Sequence, residues 1–304
     1  MFKFDFKVEV DEEATPFTNE TKDSSKAADD SSSKEWYNAE EVFATRDVLD
    51  SIDVCRLNSV QKTYNTVSMR YMISGFLLED IRENDDQVTD IKKAEENHSD
   101  LIPAVYEGGA KIWECTDDLL LYLSQNTSSG EWEGKNVLDL GCGSGLLGIY
   151  AFKCGAKVTF QDYNKDVLEK ITLPNVLLNT LLEAEEEEET YDFDKVIENT
   201  RFYSGDWQKW SNLTEGSQLF DMILTSETIY NAQNHQKLLN CLCDKLTVDG
   251  KVYVAAKTYY FGVGGGLRQF ESLIEKDQRL SFKSVWLSTE GVNREIILLE
   301  RKTP

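Results

Sequence analysis

Apolar positions are sparse through residues 1–35, where Asp, Glu, Ser, Thr and Lys dominate and Asp29-Asp30 runs into Ser31-Ser32-Ser33. Such a stretch offers little burial to offset the entropy of ordering, so it reads as a disordered acidic tail. Phe2, Phe4 and Phe6 alternate there as in a short strand or docking motif. Residues 36–100 read as an accessory segment. Val54, Leu57, Val60, Tyr64, Val67, Met69, Tyr71 and Ile73 recur at foldable spacing, the last four alternating as in strands, before a polar stretch from Glu79 to Asp100. From residue 101 to 304 the pattern alternates between two periods. A helix is predicted over Asp117–Ser124, with Thr116 as its cap. Val137–Leu140 is a short continuous apolar run, the pattern of a strand buried on both faces. A helix over Leu146–Cys154 and a strand over Lys157–Gln161 follow. Helical patterns over Asp166–Leu173 and Asn175–Leu182 are separated by Pro174, which is expected to break them. The run Glu183–Glu189 reads as a solvated acidic loop. Strands are predicted to end near Phe202–Trp207, over Phe220–Leu224 and over Lys251–Ala256 after an Asp249-Gly250 turn. Helices are predicted over His235–Lys245 and Leu267–Asp277. Leu280–Trp286 and Glu295–Glu300 close the chain as a hairpin. Strands alternating with helices up to that hairpin predict an α/β fold with a mostly parallel sheet.

The formal net charge of −23 is the unusual total. It argues against direct binding of duplex nucleic acid, which depends on neutralising phosphates, and it suits a basic protein partner drawn in by the summed field. Six cysteines and two histidines form no zinc-type spacing, so no metal site is expected and the thiols read as reduced. No run reaches the length of a membrane span, and the charged start is not that of a signal peptide.

Candidate chemistry concentrates where the first strand meets its helix. Asp139-Leu140-Gly141-Cys142-Gly143-Ser144-Gly145 places three glycines at alternate positions, allowing a sharp turn and the close approach of a flat ligand. Gly143-x-Gly145-x-x-Gly148 satisfies a dinucleotide fingerprint, in which a helix N-terminus holds a pyrophosphate. Asp139, two residues before Gly141, instead gives the Asp-x-Gly-x-Gly-x-Gly pattern of S-adenosylmethionine-dependent methyltransferases. Asp162 lies about twenty residues on, where a carboxylate can accept ribose hydroxyls.

Asp139–Gly145, Asp162, Asp206 and Ser226–Tyr230 together resemble the seven-stranded class I methyltransferases. The blocks Tyr106-Glu-Gly-Gly, Lys111-Ile-Trp-Glu-Cys-Thr116, Phe160-Gln-Asp-Tyr-Asn164, Leu173-Pro-Asn-Val176, Ser226-Glu-Thr-Ile-Tyr-Asn231 and Tyr260-Phe-Gly-Val-Gly-Gly-Gly266 are similar to those of protein-histidine N-methyltransferases acting on a large-subunit ribosomal protein. The resemblance covers residues 101–304. It implies a Rossmann-like sheet, mostly parallel with a C-terminal antiparallel hairpin, beside an N-terminal extension. It also implies S-adenosylmethionine as cofactor, bound by Ile112, Trp113, Glu114, Cys115, Thr116, Asp139, Gly141, Gly143, Gln161, Asp162, Tyr163, Gly205, Asp206, Trp207 and Ser226. A ribosomal-protein substrate, a monomer and a place in the cytoplasm and nucleus, nucleolus included, follow as expectations.

Physical arguments stand beside the analogy. Trp113 offers an apolar face and an N–H; Asp206-Trp207 offers an acceptor for the adenine amine and a stacking plane. Methylating a histidine requires choosing a tautomer, because only the ring nitrogen without hydrogen carries a lone pair. Glu227 and Asn231 are therefore candidate acceptors for the opposite ring N–H, and Tyr230 a wall for the imidazole. Glu227 as a backbone cap is the competing structural reading. A lysine methyltransferase of the same fold, identified by the acidic-x-x-aromatic pattern Glu227-x-x-Tyr230, and a non-catalytic partner of nascent basic proteins are the alternative functions. The Gly262–Gly266 loop is expected either to cover the substrate channel or to serve as a plain connector.

Overall fold

The computed structural model describes residues 36–76, 78–79, 89–182 and 190–302. The expected disordered tail and the Glu183–Glu189 loop lie outside the described residues. The strands are β1 (Glu40–Val42), β2 (Ser59–Tyr64), β3 (Val67–Met72), β4 (Asn136–Leu140), β5 (Lys157–Asp162), β6 (Leu181–Leu182), β7 (Thr190–Tyr191), β8 (Thr200–Ser204), β9 (Phe220–Ser226), β10 (Leu246–Lys257), β11 (Leu280–Leu287) and β12 (Arg294–Arg301).

Eight of them form one sheet in the order β1-β8-β5-β4-β9-β10-β12-β11. The five from β8 to β10 are mutually parallel. β12 runs antiparallel to both β10 and β11, so the closing hairpin inserts its second strand next to the parallel set. This is the sheet that the motif resemblance implies, with β1 added antiparallel to β8 at the edge.

The apolar runs are continuous because both faces of the sheet are covered. Val137, Tyr253 and Ala255 join one core, while Leu138, Leu140, Val252 and Val254 join the other. The first core holds the helices Glu114–Asn126, Leu146–Lys153 and Leu173–Leu178; the second holds Trp207–Leu213, His235–Lys245 and Leu267–Asp277.

Two sequence expectations need correction. The helix predicted from Asp117 begins at Glu114, so Trp113 is its N-cap and Thr116 lies inside its first turn. Pro174 does not break the helical path: a π-helical turn over Leu168–Thr172 runs directly into Leu173–Leu178. That wide turn precedes the residue that has no N–H to donate, so no regular ladder bond is lost there. The described part of the accessory segment packs on the sheet domain. Val42, Ile52, Tyr64, Met69 and Ile91 bury into the first core. Asn175 Oδ1 and Asn179 Oδ1 accept the amide N–H groups of Met72 and Arg70, tying the β2–β3 hairpin to the helix that carries them.

Gly148 marks where that architecture is tightest. A Cβ there would lie 2.3 Å from Cε1 of Phe160, a fully buried ring stacked on Phe202. Overpacking of this kind costs about 1–3 kcal/mol or more. Gly148→Ala is expected to lower the unfolding free energy by that amount, read as a lower urea midpoint at an unchanged slope; an unaltered midpoint would show that the helix shifts freely on the sheet.

Candidate active site

In the sheet the chain runs outward from β4 to β5 and β8, then returns to place β9 on the other side of β4. A crevice opens at such a reversal, beyond the carboxyl ends of the strands. A cleft of about 850 Å³ of empty space, mouth included, lies there. It is lined by the glycine turn after β4, by Asp162 and Tyr163 at the end of β5, by Gly205–Trp207 after β8 and by Ser226–Thr228 at the end of β9.

The turn after β4 needs its glycines for stated reasons. Gly141, Gly143 and Gly145 all have left-handed backbones, at φ of 67°, 50° and 78°. That conformation is strained for residues with a Cβ. The amides around the turn are engaged by carboxylates. Gly143 donates to Asp162 Oδ2 at 2.8 Å, and Gly148 donates to Asp139 Oδ2 at 2.8 Å. Burial pushes the Asp139 carboxyl up to about 8, against the pull of the Gly148 N–H. Burial also raises Asp162, to about 6, opposed by the N–H groups of Gly143 and Asn164.

Among the described residues the wall carries five acidic side chains (Glu107, Asp139, Asp162, Asp206 and Glu227), of which burial keeps Asp139 largely protonated at neutral pH, and one lysine, Lys111, itself paired with Asp100. A pyrophosphate would meet carboxylates where the dinucleotide reading needs free amides. A cationic ligand with flat, apolar parts suits the same wall, which also presents Trp36, Trp113, Tyr163 and Trp207. The donor set therefore fits S-adenosylmethionine, whose sulfonium is positive.

Of the residues expected to bind it, Trp113, Thr116, Asp139, Gly141, Gly143, Asp162, Tyr163, Gly205, Asp206, Trp207 and Ser226 line the cleft. Four others do not. Ile112 packs toward the first core. Glu114 pairs with Lys257 at 2.7 Å. Cys115 is buried, its amide directed at Glu227 Oε1 at 3.4 Å. Gln161 is fully buried and acts from behind, its side-chain amide donating to the Gly205 carbonyl at 2.8 Å.

Polar groups expected to be free are in part already used. The Trp113 indole N–H donates to the Gly108 carbonyl at 3.1 Å. Asp206 caps the helix Trp207–Leu213 by accepting from Gln208 and Lys209, and its other oxygen holds Lys237 Nζ at 2.7 Å. Ser226 and Thr116 share a hydroxyl hydrogen bond of 3.1 Å at the cleft wall.

Glu227 follows β9 in the left-handed region, at φ 60°, with its amide bonded to the Ala255 carbonyl at 2.9 Å. A non-glycine residue held there points to a constraint imposed by the surroundings, and such outliers cluster at functional sites. Its carboxylate is buried. Oε1 faces the Cys115 amide and lies 3.9 Å from Lys257 Nζ, whereas Oε2 has no hydrogen-bond partner among the described residues. A buried acceptor left unpaired is costly, so one in a cleft marks the place of a donor on a ligand.

Tyr230 is largely buried, and its hydroxyl donates to Glu107 Oε2. Burial and that carboxylate hold its phenol well above the usual range. Asn231, expected beside Glu227, does not line the cleft: its side chain accepts the Gln233 amide at 3.0 Å and caps a 3-10 turn. The glycine loop is a buttress in its second half. Gly265 donates to the Tyr230 carbonyl at 2.8 Å, and a Cβ on Gly265 would lie 2.2 Å from that oxygen.

Sequence reasoning assigned no role to Trp36, Glu107, Gly109 or Thr228, all on the wall. The quoted Tyr106-Glu-Gly-Gly block was the available signal for Glu107 and Gly109. Asn164 accepts the Glu107 amide at 3.0 Å and donates to the Val105 carbonyl at 2.6 Å, docking that block beside β5. For Trp36, the signal was an indole at the end of a polar stretch.

A family model described as "Lysine methyltransferase" matches residues 104–262. A histidine protein methyltransferase 1 homolog from Bos taurus is 42% identical over 238 residues, covering 74% of this chain and 63% of its own. The Dictyostelium discoideum homolog is 43% identical over 206 residues, covering 67% and 61%. Histidine protein methyltransferase 1 of Schizosaccharomyces pombe is 32% identical over 255 residues, with 74% of each chain covered. The chain thus spans about three-fifths of the length of the first two relatives and about three-quarters of the third. With a cleft built for a cationic cofactor and coverage of this extent, the chain belongs to the histidine protein methyltransferase family.

Proposed function

We propose that this chain is an S-adenosylmethionine-dependent protein-histidine N-methyltransferase. Its substrate in this reading is a basic protein, specifically one of the large ribosomal subunit, methylated by a monomeric enzyme in the cytoplasm or nucleus. The names of the relatives support the acceptor residue. The net charge of −23 supports a basic partner. The ribosomal assignment rests on the motif resemblance.

The observation that carries the acceptor chemistry is the unpartnered Glu227 Oε2 in the cleft. S-adenosylmethionine, when bound, supplies an electrophilic methyl group, and Trp113, Asp162, Tyr163 and Ser226 are the residues that would hold it. Glu227 accepts the N–H of one imidazole nitrogen, which leaves the lone pair on the other nitrogen facing the cofactor. As the ring gains positive charge on alkylation, the same carboxylate stabilises it and receives the N–H proton. Tyr230 bounds the acceptor's space, its hydroxyl held by Glu107. Proximity and orientation of this kind can supply ~7–11 kcal/mol of the barrier.

The family model's description favours a second reading, lysine as acceptor. A buried carboxylate beside a lysine would stabilise its ammonium form, which has no lone pair. The same carboxylate also favours a protonated imidazole, but a ring that starts near ~6.5 keeps far more of its neutral form at pH 7 than an amine near ~10.4, and in that form the carboxylate selects the tautomer. Acceptor titration separates the two. For a histidine peptide, kcat/KM is expected to rise through the ring's pKa near ~6.5 and level off near neutrality; for a lysine acceptor it would continue to climb toward ~10. A climb without a plateau would overturn the histidine assignment.

A further inference from the structure

We infer that Trp36–Val42 is a strap that completes the cofactor cleft, and that Trp36 is a contact for the purine base. This rests on the cofactor reading above and extends it to a segment that the motif resemblance does not reach. β1 pairs with the carboxyl half of β8, Glu40 opposite Ser204 and Val42 opposite Phe202. The residues before β1 consequently cross the ends of β5 and β8, where the cleft opens.

Hydrogen bonds and a ring stack hold that crossing in place. The Tyr37 amide donates to the Tyr163 hydroxyl at 3.1 Å, and the Tyr37 ring stacks on Tyr163 with centroids 4.9 Å apart. The Asp206 amide donates to the Tyr37 carbonyl at 3.2 Å. Lys209 Nζ donates to the Trp36 carbonyl at 2.5 Å. Gly205 shows how close the strap lies: a Cβ there would sit 2.4 Å from the Asn38 carbonyl oxygen and 2.7 Å from Ala39 Cα. The absent side chain at Gly205 thus makes room for the strap, a role distinct from touching the cofactor.

The strap delivers Trp36 to the cleft wall. Lys237 Nζ lies 3.6 Å from the centroid of its ring and is itself held by Asp206 at 2.7 Å. The Tyr163 ring meets Trp36 edge-on at 5.7 Å. An indole fixed by a cation and by an aromatic edge is pre-organised for a flat partner. Of the ligand's parts, the purine is the flat one. Lys237 also pairs with Asp206, which offsets its charge at the strap end of the cleft, where Trp36, Tyr163 and Trp207 supply aromatic surface.

The test is calorimetry of S-adenosylhomocysteine binding to the full chain and two variants, with melting temperatures without ligand as a folding control. Trp36→Ala is expected to weaken binding roughly ten-fold, as loss of one base–aromatic contact does. Trp36→Phe, which keeps an aromatic face, should stay within roughly three-fold of wild type, on the order of 0.6 kcal/mol. Ligand should also slow amide exchange in Tyr37–Val42. Wild-type affinity in a folded Trp36→Ala chain, or equal losses in Ala and Phe, overturns the strap contact alone. Failure of the wild type to bind overturns the cofactor reading with it.

Discussion

Replacing Glu227 with glutamine is expected to lower kcat roughly ten- to a hundred-fold, since one charged hydrogen bond is worth ~1.5–3 kcal/mol. The affinity for S-adenosylhomocysteine should hardly change. The variant keeps an acceptor for the Cys115 amide, which Glu227 Oε1 now faces at 3.4 Å. What changes is the other oxygen, buried in the cleft without a partner among the described residues. An amide N–H₂ in its place would oppose the imidazole N–H and admit both tautomers. It would also remove the negative charge that meets a ring becoming cationic. A fall in kcat and kcat/KM together, at constant cofactor affinity, is the pattern of an interaction made in the transition state. If Glu227 serves the backbone alone, the variant should melt earlier and turn over at the wild-type rate per folded molecule. That outcome would make its left-handed conformation a purely structural matter.

Gly141→Arg is expected to abolish binding of S-adenosylhomocysteine, and activity with it. Gly141 has φ 67°, and its missing Cβ would lie 2.6 Å from Thr228 Cγ2. Thr228 cannot easily give way, because its hydroxyl shares a 2.7 Å bond with Thr225, which donates to the Leu140 carbonyl at 2.8 Å. A long cationic side chain starting there would enter the cleft and meet Asp139 and Asp162 as an internal competitor for the cofactor's charge. Gly141→Ala is the control: it carries the Cβ contact with Thr228 and the backbone strain, about 1–2 kcal/mol for a left-handed residue, without reaching into the cleft. Alanine should therefore lower stability and retain measurable binding. Near-normal affinity in the arginine variant, by calorimetry, would move the cofactor away from this turn.

Much of the fold was legible along the chain because its signals are local. The helices His235–Lys245 and Leu267–Asp277 begin and end where apolar spacing and flanking residues place them. Parallel strands buried on both faces leave continuous apolar runs, so β4, β5 and β9 were found to within two residues. The failures are local too. Thr116 is a good capping residue by type, yet Trp113 occupies the cap while Thr116 bonds to Ser226, 110 residues away. Pro174 reads as a breaker unless the π turn before it is known.

At the site, the sequence by itself determined the chemistry available: the glycine turn, the carboxylates after the strands and the acidic residue past β9. Their identities and spacing restrict the ligand because backbone conformation and strand ends are short-range properties. Tertiary structure alone decided which of those groups remain free. Asp206 looks like an open acceptor in the sequence, but Lys237 and the first turn of its helix already engage it. Glu227 Oε2 is available because the Cys115 amide is directed at the other oxygen, and no hydrogen bond reaches Oε2 among the described residues. Trp36 reaches Tyr163, 127 positions later, through the pairing of β1 with β8. Hydrogen-bond satisfaction and edge-strand pairing depend on which distant segments meet, and that is settled by burial over the whole sheet rather than by any local pattern.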